Sequence, residues 1–423
     1  MSTIAYWITW LFVFALPWEN AVSVIPGTAI VTKVTGALSL AAALGATVLS
    51  GRLRRWHPMH LVGLMFLIWA GAELFVTHIG TRLPYKYTTY AQLFAVVLII
   101  WEIAPSWSRL TGLMMGYVLG GYVAALATLM LYRQAGNELK RFTAVQSDPN
   151  SLAMTLALAL PMAWYLGMTY KNPILRWVCR AFIAVGVIAI GLTASRGGMV
   201  AATVALTIVP LTMTKLSPGR LIAAVAMLTV SGALAAVYIP DRIVQRLATT
   251  GTEVEDLSLG GRFKLWEAGF KALGERPLTG YGAGFWRNAV SPWLGPNPQV
   301  AHNSFLSVAV ETGIIGLLLY LGMFLAVFLA LQRLPSFERR FTVVLLATLM
   351  VAMLPLSWDD QKSVWFVLGL LVGLAQASRV GVLGLAGTAA PARPAPVVRQ
   401  PLAARPGTRA MRFSRNPDTD PLT

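Results

Sequence analysis

Residues 240–311 read PDRIVQRLATTGTEVEDLSLGGRFKLWEAGFKALGERPLTGYGAGFWRNAVSPWLGPNPQVAHNSFLSVAVE. Apart from the C-terminal tail, this is the longest run without an apolar segment of spanning length, which takes about 20 residues. It carries charges of both signs, Trp266 and Trp286, a glycine cluster at Gly280, Gly282 and Gly284, and His302. Long apolar segments precede and follow it. The chain therefore reads as a membrane frame that holds one water-facing loop.

Composition agrees. The 423 residues are 56% hydrophobic and 12% charged, with a mean hydropathy of +0.64. Soluble domains carry about 25% charged residues, and charge is expensive in hydrocarbon. The fold class is thus an all-α integral membrane protein. A β-barrel would show alternating strands of about 10 residues, and these runs are continuous and longer. A sliding window gives about twelve spans. Nine fall in residues 1–239, the last of them Leu221–Ile239. A loop with short helices occupies 240–302, three more spans fall in 303–380, and a tail rich in Ala, Pro and Arg covers 381–423. Such a tail cannot bury enough apolar surface to order itself, so disorder is expected there.

Orientation follows from the loops. Arg52, Arg54 and Arg55, then Arg109, then Lys171, Arg176 and Arg180, then Lys215 and Arg220, then Arg333, Arg339 and Arg340 all fall on one side if the spans alternate. That side is the cytoplasm, which also receives both termini and leaves the 240–302 loop outside. The net charge of +17 is spread over these loops and the tail without a nucleic-acid motif, so no nucleic-acid partner is expected. The single cysteine, Cys179, excludes an internal disulfide and a cysteine metal cluster. The first apolar run lacks a charged leader and is read as a span. Asp418-Thr419-Asp420 looks like a metal-binding DxD but lies on the wrong side of the membrane.

Basic residues that break this pattern carry the functional signal. Arg82, Lys86, Arg133, Lys140, Arg141 and Arg196 fall at outer ends, with more in the large loop. A polyanion bound on the outer face would explain them, and guanidinium suits one because its planar fork matches phosphate oxygens. For Arg82 and Lys86, contact with lipid headgroups is the expectation. Arg196 sits in Thr193-Ala194-Ser195-Arg196-Gly197-Gly198. An interfacial anchor would not need that serine or those glycines, which let another backbone or a ligand approach.

Gly261–Leu273 reads as an amphipathic helix whose apolar face, Phe263, Trp266, Phe270 and Leu273, packs on the membrane interface or the bundle. Arg262 opposes the dipole at its start, a cost that an anion would offset. His302 stands at the membrane mouth, a candidate general base or phosphate contact. The other histidines, His57, His60 and His78, lie elsewhere, so no multi-histidine metal site is expected. Glu311 could orient a group near the bilayer surface, and Asp359 and Asp360 could assist an acceptor hydroxyl. Each could equally be satisfied by a neighbouring Arg or Lys. Glu73, inside a span, is a further candidate.

Taken together, Ser195-Arg196-Gly197-Gly198, Gly261-Arg262, Arg276-Pro277-Leu278-Thr279-Gly280-Tyr281-Gly282, His302-Asn303-Ser304 and Glu311-Thr312-Gly313-Ile314-Ile315-Gly316 resemble the O-antigen ligase and polymerase superfamily. Asp148-Pro149-Asn150 adds to the likeness. The resemblance extends over nearly the whole chain except the tail. It implies a GT-C-like glycosyltransferase of the bacterial inner membrane, working at the periplasmic face without a metal or other cofactor. It implies an undecaprenyl-pyrophosphate-linked glycan as donor and, for a ligase, lipid A–core oligosaccharide as acceptor. By motif, Arg196 and Arg262 match the family's essential arginines and His302 its essential histidine. Lys140, Arg141, Arg133, Asn150 and Asn303 join Glu311, Asp359 and Asp360 as substrate-binding candidates. The moderate loop favours a ligase over an O-antigen polymerase or a protein O-oligosaccharyltransferase. A non-enzymatic lipid-glycan flippase would need polar groups through mid-membrane, whereas these cluster at the outer mouth.

Overall fold

The computed structural model describes residues 2–19, 28–76, 85–135, 148–213, scattered positions between 218 and 229, and 261–388. The described residues are helical and contain no strand. Residues 1–381 form one compact unit. The helices are α1 (Ser2–Ala15), α2 (Thr28–Ser50), α3 (Pro58–Val76), α4 (Tyr85–Ile103), α5 (Trp107–Ala135), α6 (Pro149–Thr169), α7 (Pro173–Leu192), α8 (Arg196–Leu206) and α9 (Ile208–Met213). After the large loop's first part come α10 (Arg262–Glu275), α11 (Trp286–Leu294), α12 (Ser304–Leu331), α13 (Ser336–Met353) and α14 (Lys362–Thr388).

Helices stand where all but one of the expected spans were placed; Leu221–Ile239 falls mostly outside the described residues. Five are long and apolar enough to cross a membrane: Ile30–Ser50, Trp107–Gln134, Pro149–Thr169, Pro173–Leu192 and Ser304–Leu331. Others are apolar but shorter, for local reasons. Pro17 turns the end of α1 into a 3-10 turn, Leu16–Trp18. Pro210 cannot donate to Leu206 and crowds that carbonyl, which breaks the helix at Thr207 between α8 and α9. The final helix continues to Thr388, past Gly381, where the tail was expected to begin. Residues 389–423, including Asp418-Thr419-Asp420, lie outside the described residues, as do His78, Arg82 and the side chain of Glu73.

Local sequence sets the helix starts. Proline opens α3, α6 and α7, where its missing N–H is no loss. Asp148, Asn172, Ser195 and Asn303 cap α6, α7, α8 and α12, each accepting a backbone N–H from the first turn. Helix α6 is the central post, 89% buried over its spanning window, packed against α5, α7, α8 and α13. Small residues let these helices approach, as at Gly121 against Phe182.

The bundle has two chemically different ends. At one end, arginines satisfy the last carbonyls of neighbouring helices, the usual place for a cation. Arg109 Nη1 donates to Ile103 O at 2.7 Å, Arg180 Nε to Gly167 O at 3.2 Å, and Arg340 Nη1 to Leu211 O at 2.6 Å. Arg54 donates to the Trp101 carbonyl and lies over its ring, 4.1 Å from the centroid. These are arginines from which the orientation was read. The starts of α4, α6, α8, α12 and α14 gather at the other end.

Helix α10 forms as expected, and the face that packs is broader than the apolar stripe. Leu265, Ala268, Gly269 and Ala272 are buried, against Trp286, Leu306 and Val310 of α11 and α12. Trp266 and Leu273 of the apolar stripe pack on the same cluster, while Phe270 is 64% exposed. The approach is close: a Cβ on Gly269 would sit 2.7 Å from the Trp286 ring.

Candidate functional site

The site grows from the start of α8. Helix α7 ends at Leu192, and the chain reverses within three residues. Ala194 makes the turn at φ 49°, and Ser195 caps α8 by accepting from Gly198 N at 3.2 Å. Arg196 is thereby the first helical residue. The two glycines that follow serve packing: a Cβ on Gly198 would fall 2.3 Å from Ala153 of α6, and one on Gly197 2.9 Å from Pro355. Ser195 Oγ also donates to Asn150 Oδ1 at 2.9 Å, and Asn150 Nδ2 to Asp148 Oδ1 at 3.3 Å. The starts of α6 and α8 are stapled together by side chains of the Asp148-Pro149-Asn150 motif.

From Asp148 the network continues to His302. Ser151 Oγ donates to Asp148 Oδ2 at 3.0 Å and accepts from Trp358 Nε1 at 3.2 Å. Trp358 N donates to Ser304 Oγ at 2.7 Å, which donates to Leu356 O at 2.7 Å. His302 N donates to Ser357 Oγ at 3.1 Å. One hydrogen-bonded circuit therefore runs from the Arg196 turn to the His302 turn. Among the described residues, Ala194 (φ 49°) and His302 (φ 48°) are the non-glycine positions in the left-handed region. Each costs about 1–3 kcal/mol and persists only where the surroundings impose it, a pattern concentrated at functional sites.

Arg262 completes the group. It is the first residue of α10, behind Gly261 at φ 83°. Burial lowers its pKa; the Asp148 charge opposes this and the Arg196 charge adds to it. Burial also holds the His302 imidazole below its ordinary value, Arg262 pulls the same way, and Asp148 opposes. Two guanidinium groups, an imidazole and one carboxylate thus act on one another at the same end of the bundle. Arg196 and Arg262 open α8 and α10, Asn150 lies in the first turn of α6, and His302 stands just before the cap of α12. Four helix N-termini bring their partial positive charge to this region, an arrangement suited to an anion. His302 Nδ1 is buried without a hydrogen-bond partner, which leaves Nε2 as the nitrogen open to a ligand.

The other candidates fall in different places. Asn303 caps α12, its Oδ1 accepting from Leu306 N at 3.0 Å. Arg133 is exposed in the last turn of α5, Asp360 is half-buried beside the Trp358 turn, and Lys140 and Arg141 lie outside the described residues. Glu311 and Asp359, read equally as substrate contacts or as carboxylates satisfied by a neighbouring Arg or Lys, are 2% and 0% exposed, and the second holds for both. Lys86, expected among lipid headgroups, lies between them, 2.7 Å from Glu311 Oε2 and 2.8 Å from Asp359 Oδ2. Carboxylates at that depth need a counter-charge. Only pairing across distant helices reveals which lysine supplies it.

The glycine motifs also acquire a structural reason. Helix α12 breaks at Gly313 (φ 67°, ψ −179°). The 277–282 loop takes up the groups the break frees: Tyr281 N donates to Val310 O at 3.1 Å, Gly282 N to Glu311 O at 2.7 Å, and Ile314 N to Pro277 O at 2.8 Å. Two backbones cross here at Gly280 and Gly313, with no space for a side chain at either position.

A family model described as O-antigen ligase matches residues 181–321, about a third of the chain, a span that includes Arg196, Arg262, His302 and Glu311. No curated protein matches the chain. The matched segment holds the motifs from which the resemblance was drawn, apart from Asp148-Pro149-Asn150, on an all-helical frame with several membrane-length helices. Over residues 181–321 the chain is therefore similar to the O-antigen ligase family, a family of glycosyltransferase-type enzymes.

Proposed function

We propose that this protein is an O-antigen ligase of the bacterial inner membrane, transferring a glycan from undecaprenyl pyrophosphate to lipid A–core oligosaccharide at the periplasmic face. Both termini are then cytoplasmic, and the end carrying Arg196, Arg262 and His302 is periplasmic. One observation carries the reading: these three side chains, remote in sequence, sit at the starts of converging helices and share one electrostatic neighbourhood.

Arg196 and Arg262 hold the donor pyrophosphate. The acceptor hydroxyl oxygen bonds to C1 of the donor sugar as the C1–O bond to phosphate breaks. The bonding pair leaves with the pyrophosphate, where both guanidinium groups stabilise it, and the hydroxyl proton passes to His302 Nε2. This single displacement inverts the anomeric centre. Charge stabilisation that strengthens in the transition state is what accelerates the step, and the two arginines supply it without a metal. Lys140, Arg141 and Arg133 support the donor's phosphates, while Asn150, Asn303 and Asp360 line the site. Glu311 and Asp359 act from beneath it, through Lys86.

The pH dependence has a definite sign. His302 must be neutral to accept the proton, and its pKa lies below the ordinary 6.5. Transfer should therefore persist below pH 6.5 and fall only as pH drops through the lowered value. Asp148→Asn, which removes the opposing negative charge, should move that limb further down. A pH–rate profile with its acid limb above 6.5 would exclude His302 as the base.

Lipopolysaccharide gels of a strain lacking the protein test the activity itself. The expected result is loss of the O-antigen ladder, with full-length undecaprenyl-linked chains accumulating. Lipid A–core bearing a single repeat would instead identify a polymerase and overturn the ligase reading.

A further inference from the structure

We infer that Lys86 is a positioning residue, whose ammonium bridges Glu311 and Asp359 to hold the part of the site carrying Arg262 and His302 in register with the part carrying Arg196. The inference rests on the proposed roles of those three residues. It follows from how the site is divided.

Arg262 and His302 ride on one local assembly. The break at Gly313 makes residues 304–312 a separate short helix with His302 at its head. Its Leu306 and Val310 pack on Ala268, Ala272 and Trp286. Its lower end is bonded to the 277–282 loop, which continues directly from α10. Arg262 heads that same α10. These pieces are tied to one another at both ends.

Arg196 belongs to the other part. It opens α8, which is stapled to α6 through Ser195, Asn150 and Asp148. The 357–361 turn belongs here too, through Trp358 Nε1 on Ser151 and Trp365 Nε1 on Asp359 O at 2.9 Å. Asp359 also accepts from the Tyr90 hydroxyl.

The two parts are joined at the head of the short helix by His302 N on Ser357 Oγ, Ser304 Oγ on Leu356 O and Trp358 N on Ser304 Oγ, and Lys86 is the ionic tether between them further along that helix. Besides Glu311 and Asp359 it donates to Ser307 Oγ at 3.1 Å, so it grips the short helix twice and the turn once. The side chain is 12% exposed, and its partners are 2% and 0% exposed. Two buried carboxyl groups face one ammonium, which supplies the counter-charge that carboxylates at this depth require. Ionic tethers at low dielectric are stiff. With its head held by the 356–358 turn, the short helix would tilt if this contact slipped, moving the α10 packed on it and hence Arg262 relative to Arg196, and the pyrophosphate must meet both arginines at once.

The test uses the full chain in detergent with lipid-linked donor and lipid A–core. Lys86→Met leaves two buried carboxylates without a counter-ion and so threatens folding. The triple variant Lys86→Met, Glu311→Gln, Asp359→Asn removes the charges along with the tether. In folded protein, kcat should fall about 10²-fold, the scale of a misplacement of about 1 Å, while KM for the donor changes by less than about threefold. The triple variant should regain thermal stability without regaining kcat. Recovery of kcat in step with Tm, wild-type kcat in Lys86→Met, or failure of both variants to fold would make the contact purely structural and overturn the assignment. His302→Ala, assayed alongside, separates the two levels. Activity in that variant removes the underlying mechanism, whereas a dead His302→Ala beside a wild-type Lys86→Met removes only the positioning role.

Discussion

His302→Ala should abolish glycan transfer while leaving a folded protein, and Arg196→Ala and Arg262→Ala should each come close to doing so. General-base catalysis contributes about 10²–10⁴ in rate. A preorganised charge contact to a leaving group contributes about 10²–10³, or roughly 3–4 kcal/mol. The arginines are half-buried in the first turns of their helices and belong to neither apolar core cluster, so truncating them removes charge without opening a core. His302 is half-buried, and its structural bond, to Ser357, is made by the backbone and survives the change. Because both guanidinium groups act on one pyrophosphate, the double variant should lose less than the product of the two single losses. Transfer of labelled glycan by purified variants, with a melting curve for each, checks this. Wild-type activity in any one variant removes that residue from the mechanism.

Gly313→Ala should prevent the protein from folding. At φ 67° and ψ −179° the backbone occupies a region open essentially to glycine alone. A Cβ there would lie 2.0 Å from the Leu278 carbonyl oxygen, part of a backbone that is itself hydrogen-bonded across the break. Neither strand can yield without losing the bonds that satisfy the broken helix. The loss should exceed about 4 kcal/mol, the range reserved for disruption of a specific buried feature. Folded protein should then fail to accumulate. Gly274→Ala is the matched control. It lies within α10 with nothing within 4 Å of the added Cβ, and should be neutral or stabilising by up to about 1 kcal/mol. Equal melting temperatures for the two variants would contradict the crossing.

Much of the architecture could be read from the chain because the physics behind it is local. Hydrophobic length places helices one segment at a time. Helix starts announce themselves through Asp148, Asn172, Ser195 and Asn303, whose side chains compete for nearby N–H groups. Arg196, Arg262 and His302 stood out as charges or titrating groups where an outer surface did not call for them. In the structure they occupy the starts of neighbouring helices. One local reading failed for an instructive reason. Lys86 was read by its position at a span end, which says nothing of what lies beside it in the bundle.

Hydropathy and the punctuation of helix ends determined the helical membrane frame and the identity of the polar residues kept at one end, since both depend on neighbours a few positions away. The tertiary structure alone decided that Lys86 answers Glu311 and Asp359, that Gly280 and Gly313 interlock, and that Asp148 links the three candidate residues. Those outcomes depend on which distant segments are forced together. Burial of a charge, or contact between two backbones, acquires its energetic meaning only once the neighbours are in place.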